Sequence, residues 1–211
     1  MPELNPTRRV LAAGLVIAVV LATSAFAAGS LSPDDAALQA KAVAYLDGLT
    51  SAKGRFTQTD GKGRTADGTL YLQRPGKARF EYDPPNGLLI TSDGRTVTVS
   101  DSRLKTLQRY PLRETPLSLF LDRHIRIDKG VKVEKVTRNA GGFTVLARDA
   151  RGPAGGQVVL SFADNPIRLM GWTITDAQRQ TTRVIVSDLH AEAGLAEGLF
   201  EQAPGGQGVR R

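Results

Sequence analysis

The chain has 211 residues, 41% of them hydrophobic, a net charge of +7 and no cysteine. This length and apolar content predict one folded domain with a single core. The missing cysteine excludes a disulfide framework and a lipid anchor attached through an N-terminal cysteine. Arginines are scattered along the chain and aromatic residues make up only 6%, which favours a solvated basic surface over a site for nucleic acid or anionic lipid.

The N-terminus has the features of a cleavable export signal. Arg8 and Arg9 precede the apolar run 10–22, and Ala25 and Ala27 supply small residues at both positions that a signal peptidase reads. An uncleaved anchor is the alternative, since residues 10–29 approach the roughly 20 that a spanning helix needs, but the second half of this segment is weakly apolar. We expect cleavage after Ala27 and an exported domain of residues 28–211.

Ser32 begins a predicted amphipathic helix. Its hydroxyl can cap the helix, Pro33 suits the first helical position, and acidic residues follow in the first turn. Apolar residues then recur at helical spacing: Leu38, Ala42, Tyr45 and Leu49. This stripe predicts a helix that lies on another part of the fold.

From Ser51 onward the hydrophobic period is two, which predicts strands joined by Gly-, Pro- and Asp-rich turns. The predicted strands are Lys53–Thr59, Thr65–Arg74, Ala78–Asp83, Gly87–Thr91, Thr96–Asp101, Lys105–Tyr110, Val131–Asn139, Phe143–Asp149, Gln157–Ala163, Leu169–Asp176 and Thr181–Leu189. Thr115-Pro116 interrupts them and predicts a short, very apolar helix. The pattern predicts a mainly β fold, a curled antiparallel sheet or incomplete barrel with a helix on its concave side.

Alternation assigns one face of this sheet to an apolar interior. The residues predicted there are Leu70, Leu72, Ala78, Phe80, Tyr82, Val97, Val99, Phe143, Val145, Val158, Leu160, Phe162, Trp172, Ile174, Val184 and Val186. Parity places Arg74 on the same face, where a guanidinium without acceptors would cost several kcal/mol. Two arrangements stay open: Arg74 donates to carbonyls at the ends of the covering helices, or it bends out to solvent.

The sequence contains no recognisable catalytic motif. There is no Gly-x-Ser-x-Gly elbow and no phosphate-binding loop ending in Gly-Lys-Ser/Thr, so we expect neither enzymatic activity nor a cofactor. His124 and His190 each lie in an Asp-x-His triplet. Residues two apart share a strand face by geometry, and no third element supplies ligands. No metal is therefore predicted.

Several stretches resemble the periplasmic outer-membrane lipoprotein carrier family, LolA. They are GRFTQ at 54–58, LYLQRPGKARFEY at 70–82, SDG at 92–94, Thr115-Pro116-Leu117, and the ending Leu199-Phe200 with Pro204 and Gly208-Val209. The resemblance covers essentially all of the exported chain, in order. Phe80 stands where the family commonly has tryptophan, and Ala78 where larger apolar residues occur. The resemblance therefore does not predict the exact shape of the cavity.

The resemblance implies an incomplete antiparallel barrel closed by a lid of short helices over an apolar cavity. It implies a periplasmic carrier that receives acylated lipoproteins from an inner-membrane ABC release complex and hands them to an outer-membrane acceptor lipoprotein, LolB. In the family, the arginine of the Arg-Pro motif bonds to the lid backbone and holds the free carrier closed, a role that falls on Arg74. We expect a monomer that binds no nucleic acid.

The residues expected to contact acyl chains form a cavity and lid set. It comprises Leu38, Tyr45, Leu70, Leu72, Ala78, Phe80, Tyr82, Val97, Val99, Leu117, Leu119, Phe120, Leu121, Phe143, Val145, Leu160, Phe162, Trp172 and Ile174. Two other functions stay open. One is a periplasmic sensor of lipid or mislocalised lipoprotein built on the same partial barrel; the other is a polysaccharide or peptide binder, which the single tryptophan disfavours.

Overall fold

The computed structural model describes residues 31–121, 131–149, 156–176 and 178–201. The proposed export signal and His124 lie outside these ranges, so what was inferred for them remains a sequence prediction.

Two α-helices and eleven strands make up the described chain. They are α1 (Pro33–Gly48), β1 (Ser51–Thr59), β2 (Thr65–Gln73), β3 (Lys77–Tyr82), β4 (Leu88–Asp93), β5 (Thr96–Asp101), β6 (Thr106–Pro111), α2 (Ser118–Leu121), β7 (Val131–Asn139), β8 (Gly142–Asp149), β9 (Gln157–Asp164), β10 (Ile167–Thr175) and β11 (Thr181–Ala191). Short 3-10 turns lie at Leu112–Glu114 and Glu197–Phe200. Helix α1 begins as predicted, with the Ser32 hydroxyl accepting from the Asp35 amide at 3.1 Å.

The strands form one antiparallel sheet in the order β6-β5-β4-β3-β2-β1-β11-β10-β9-β8-β7. Two meanders, β1 to β6 and β7 to β11, therefore lie side by side through the pairing of β1 with β11, where Phe56 is opposite Val186. Strands β6 and β7 are consecutive in the chain but form the two outer edges of this sheet. The connection between them contains α2.

Ring contacts show that the sheet is curled. Phe80 on β3 and Trp172 on β10 are separated by three intervening strands, which in a flat sheet would place them about 19 Å apart at about 4.8 Å per strand. Their ring centroids are only 6.1 Å apart. The side chains on the concave face consequently meet across the interior and form one apolar core.

Gly68 leaves space for an aromatic contact at the middle of this face. It is paired with Phe56 on one side and with Tyr82 on the other, and the two rings meet edge to face at 5.0 Å. A Cβ at Gly68 would lie 2.6 Å from the Phe56 ring and 2.4 Å from the Glu81 carbonyl oxygen. Only a residue without a side chain fits there.

Gly68→Ala is therefore expected to lower the free energy of unfolding by about 1–3 kcal/mol, the usual cost of overpacking a core. The matched control is Gly48→Ala in the last turn of α1, where an added Cβ meets nothing within 4 Å. There alanine should be neutral or stabilising by up to about 1 kcal/mol. Urea denaturation of both variants measures the difference, and equal midpoints would contradict this account of Gly68.

Candidate functional site

The concave face brings most of the predicted cavity and lid residues together. The buried ones are Leu38, Leu70, Leu72, Ala78, Phe80, Tyr82, Val97, Leu121, Phe143, Val145, Leu160, Phe162 and Trp172. The half-buried ones that pack against them are Tyr45, Val99, Leu117 and Ile174. The side chains of Leu119 and Phe120 lie outside the described part of the molecule, so their proposed contacts stay predictions.

Phe56 belongs to the centre of this interior, although the predicted cavity set omits it. Its ring lies edge to face with Phe80 at 5.6 Å as well as with Tyr82, and its side chain is buried. The signal for it was available, because alternation along β1 places Phe56 on the same face as the buried Ala52 and Gly54.

Helix α1 covers part of the interior with an apolar stripe. Leu38, Ala42 and Leu46, at successive intervals of four residues, are buried against the sheet. Tyr45 meets Phe162 edge to face with 6.1 Å between ring centroids. The predicted stripe is thus only partly correct: Leu38 and Ala42 are buried, but Leu46, which the prediction omitted, takes the third buried position, and the predicted Tyr45 and Leu49 are half-buried.

A polar contact fixes α1 to the turn between β9 and β10. The Lys41 ammonium donates to the Asp164 carbonyl oxygen at 2.9 Å and also pairs with the Asp164 carboxylate. Both side chains remain partly exposed, so the ion pair itself contributes less than about 1 kcal/mol. Its effect is to position the middle of α1.

Arg74 fixes the C-terminal end of α1. Its Nη1 donates to the carbonyl oxygen of Leu46, and its backbone amide donates to the Thr50 carbonyl at 2.7 Å. Leu46 is in the last turn of the helix, where carbonyls carry the negative end of the helix dipole; its carbonyl oxygen also accepts from the Leu49 amide at 3.1 Å, a donor that it shares with Tyr45. A guanidinium is thus matched in both charge and hydrogen bonding to this position.

Gly76, two residues later in the same turn, contacts the other helix. Its amide donates to the Leu121 carbonyl at 2.7 Å, and its own carbonyl accepts from the buried Ser92 hydroxyl at 2.6 Å. The backbone has φ of +80°, and a Cβ would lie 2.6 Å from the Gly94 Cα, so glycine is required. The turn Arg74–Gly76, named here the latch turn, therefore holds both α1 and α2.

A single hydrogen-bonded pair lies toward the opposite end of the concave face. The Tyr82 hydroxyl donates to Gln58 Oε1 at 2.7 Å. Burial raises the pKa of Tyr82 to about 12, so the phenol stays neutral at any physiological pH and presents no charge to the apolar interior.

The described residues provide no candidate metal site. Within them no group of three or more His, Cys, Asp or Glu side chains is placed to hold an ion. His190 lies at the exposed end of β11, with Nδ1 2.7 Å from the Asp188 carbonyl oxygen. None of the described helices is both long enough and apolar enough to cross a bilayer.

The fold and site define a class of protein: a curled, incomplete barrel with an apolar interior covered by helices that one turn holds in place. The family model described as outer membrane lipoprotein carrier protein LolA matches residues 47–203. The chain belongs to the LolA family.

The sequences of related proteins align with this chain over most of their own length. An outer-membrane lipoprotein carrier protein of Chromobacterium violaceum is 28% identical over 194 residues, covering 88% of this chain and 92% of that protein. Another, from Methylococcus capsulatus, is 26% identical over 185 residues, covering 83% and 88%. The crystal structure of a DUF1329 family protein from Desulfovibrio piger shares the fold, with a TM-score of 0.50, 12% identity, and coverage of 82% of this chain and 99% of that one.

Tyr82→Phe tests the buried hydrogen bond and should cost about 1 kcal/mol at neutral pH. Because the folded pKa of about 12 exceeds the ordinary 10.0, the neutral phenol stabilises the fold fully below about pH 10, and this contribution is lost as the pH rises toward 12. Between about pH 9 and pH 11, wild type should lose about 1 kcal/mol more than Tyr82→Phe. Urea denaturation at both pH values measures this.

The matched control is Tyr110→Phe, which also removes a tyrosine–glutamine hydrogen bond, to Gln108, but on an exposed strand. This variant should keep the wild-type pH dependence. Identical behaviour of the two variants would argue against a buried neutral Tyr82.

Proposed function

We propose that this chain is a periplasmic lipoprotein carrier whose interior shelters the acyl chains of its cargo. The observation that carries the proposal is a predominantly apolar concave face covered by α1 and α2, both of which bond to the latch turn. Family membership supports it, as do relatives named as lipoprotein carriers. We further propose that residues 1–27 are removed on export.

Acyl-chain chemistry explains why such an interior is needed. Exposing hydrocarbon to water costs about 0.8 kcal/mol per methylene, so one chain of about 16 carbons carries on the order of 12 kcal/mol. A lipoprotein with several chains cannot cross an aqueous compartment unless this surface is covered. The concave face offers aliphatic and aromatic side chains and a neutral phenol in place of water.

The structure corresponds to the closed, unloaded carrier in this proposal. Leu70, Leu72 and Phe143 are 0% exposed, so the interior is filled by the protein's own side chains and helices. Loading therefore requires α1 or α2 to move away from the sheet. The Arg74–Leu46 and Gly76–Leu121 hydrogen bonds are the polar contacts that this movement breaks.

Breaking these contacts lowers the net affinity for cargo, and we propose that this makes delivery possible. A carrier that bound acyl chains with the whole free energy of their burial would not release them. The cost of opening is recovered when the helices close again after release. The proposed donor is an inner-membrane ABC release complex and the proposed acceptor an outer-membrane LolB-like lipoprotein.

Arg74→Leu tests the latch turn. It removes the bond to Leu46 and adds apolar surface, so the variant should accept an acylated lipoprotein but pass it to a purified LolB-like acceptor at least tenfold more slowly. Pull-down of the lipoprotein with each protein over time measures both steps. Arg64→Leu, in the exposed turn between β1 and β2, is the control and should transfer normally.

Transfer by Arg74→Leu at the wild-type rate would refute this role for the arginine. A wild-type chain that binds lipoprotein yet never passes it to an acceptor would instead favour the sensor function over the carrier function.

Trp172 provides a direct probe of acyl binding, because it is the only tryptophan and is buried against Phe80. Adding a diacylated lipopeptide should shift its emission as hydrocarbon replaces protein side chains around the indole. The same peptide without acyl groups is the control. Unchanged emission in a titration that reaches lipopeptide excess, together with no co-elution, would count against an acyl-binding interior.

A further inference from the structure

Leu104 is the most exposed of the large hydrophobic side chains in the described ranges, at 72%. It lies in the turn between β5 and β6, with Arg103 before it and Lys105 after it. The three residues Arg103–Leu104–Lys105 are named here the hairpin tip. A single exposed leucine is ordinary on a protein surface, but this one lies at the tip of a turn between two cations.

The turn holds the tip in a defined shape. The Asp101 carboxylate accepts from the Arg103 amide at 2.8 Å and from the Leu104 amide at 3.0 Å. Lys105 has φ of +52°, and Ser102 donates through its amide to the Gly87 carbonyl at 3.0 Å. The exposure of Leu104 is thus a property of a hydrogen-bonded turn.

The neighbouring turn extends the same surface. Pro84 and Pro85, between β3 and β4, are exposed and lie in the turn whose Gly87 packs against the Arg103 side chain. These contacts place the β3–β4 turn beside the hairpin tip, at the same end of the sheet.

Charge at the tip is positive. Within 102–113 the sequence contains Arg103, Lys105, Arg109 and Arg113 and no acidic residue. Two acidic residues at the ends of β5 and β3 already have partners: Asp101 accepts from two backbone amides, and Asp83 is paired with Arg55, with one contact at 3.0 Å. Arg109 lies along β6, and Arg113 follows the other end of this strand, where it pairs with Glu114 at 3.6 Å. The cations at the tip itself are therefore Arg103 and Lys105.

We infer that the hairpin tip docks on an anionic phospholipid bilayer, with Leu104 entering the boundary between headgroups and acyl chains and Arg103 and Lys105 contacting lipid phosphates. A leucine at the tip of a turn, flanked by two cations, suits a fluid anionic plane, where apolar insertion and charge attraction act together. The inference rests on the proposed function only in that such a carrier loads and unloads beside a membrane.

The position of the tip is compatible with that role. In the antiparallel sheet, the β2–β3 turn, which is the latch turn, and the β5–β6 turn lie at opposite ends of their strands. A chain docked through the tip therefore keeps the contacts of α1 and α2 with the latch turn away from the bilayer surface.

Vesicle sedimentation tests the inference. The protein purified from the periplasm of an expressing bacterium should bind vesicles of phosphatidylethanolamine with phosphatidylglycerol but not vesicles of phosphatidylcholine. Binding should fall when salt rises from about 0.1 M to about 0.5 M, because screening shortens the range of the charges. Leu104→Ser should weaken binding at least fivefold, and Arg103→Gln and Lys105→Gln about fivefold each.

The matched control is Arg183→Gln with Ile185→Ser, an arginine and a 44% exposed aliphatic residue on β11, away from the tip. It should bind vesicles as wild type does. In a second readout, Leu104→Trp should show blue-shifted emission on anionic vesicles and Ile185→Trp should not.

The inference is overturned if wild type does not bind the anionic vesicles, if it binds phosphatidylcholine equally, or if the control loses as much as the tip variants. The first result would leave a protein partner as the occupant of the tip. Titration of the tip variants with lipopeptide, followed through Trp172, separates this failure from failure of the proposed function. The tip variants should bind lipopeptide normally.

Discussion

An apolar interior inside a sheet that does not close on itself has to be covered by something that can also be removed. Strands alone cannot supply this cover, because removing one would break a ladder of backbone hydrogen bonds. Helix α1 covers the interior through Leu38, Ala42 and Leu46 while keeping its backbone bonds within itself. A helix can therefore move as a unit, and the remaining question is what decides where it rests.

The free energies of the contacts show that apolar packing holds the helices on the sheet, whereas hydrogen bonds position them. Burial of side chains such as Leu38, Leu46 and Leu121 contributes about 1.5–3 kcal/mol each, whereas a charge-assisted bond such as Arg74 to Leu46 contributes about 1.5–3 kcal/mol in total. Packing therefore supplies most of the closing free energy. The latch turn fixes the positions of the helix ends, because it bonds to one carbonyl on each helix. Hydrocarbon worth on the order of 12 kcal/mol per chain is enough to displace such contacts.

Local features of the fold were predictable and long-range ones were not. Alternation predicted each strand to within a few residues, and the Ser32 cap predicted the start of α1, because both signals come from residues that are neighbours in the sequence. The pairing of β1 with β11 and the contact of Lys41 with Asp164, 123 residues apart, have no local signature. Parity placed Arg74 near the interior but left its partner open, since choosing the Leu46 carbonyl required knowing where α1 ends in space.

The edges β6 and β7 are not bonded to each other in the described sheet. Parting the two edges therefore leaves every strand pairing intact, and the width of the opening can vary without any loss of ladder hydrogen bonds. Helix α2, which lies between these two strands in the chain, contacts Gly76 through its Leu121 carbonyl. A carrier of the proposed kind needs an opening of variable width if its cargo varies in bulk, and at these edges no strand pairing has to break.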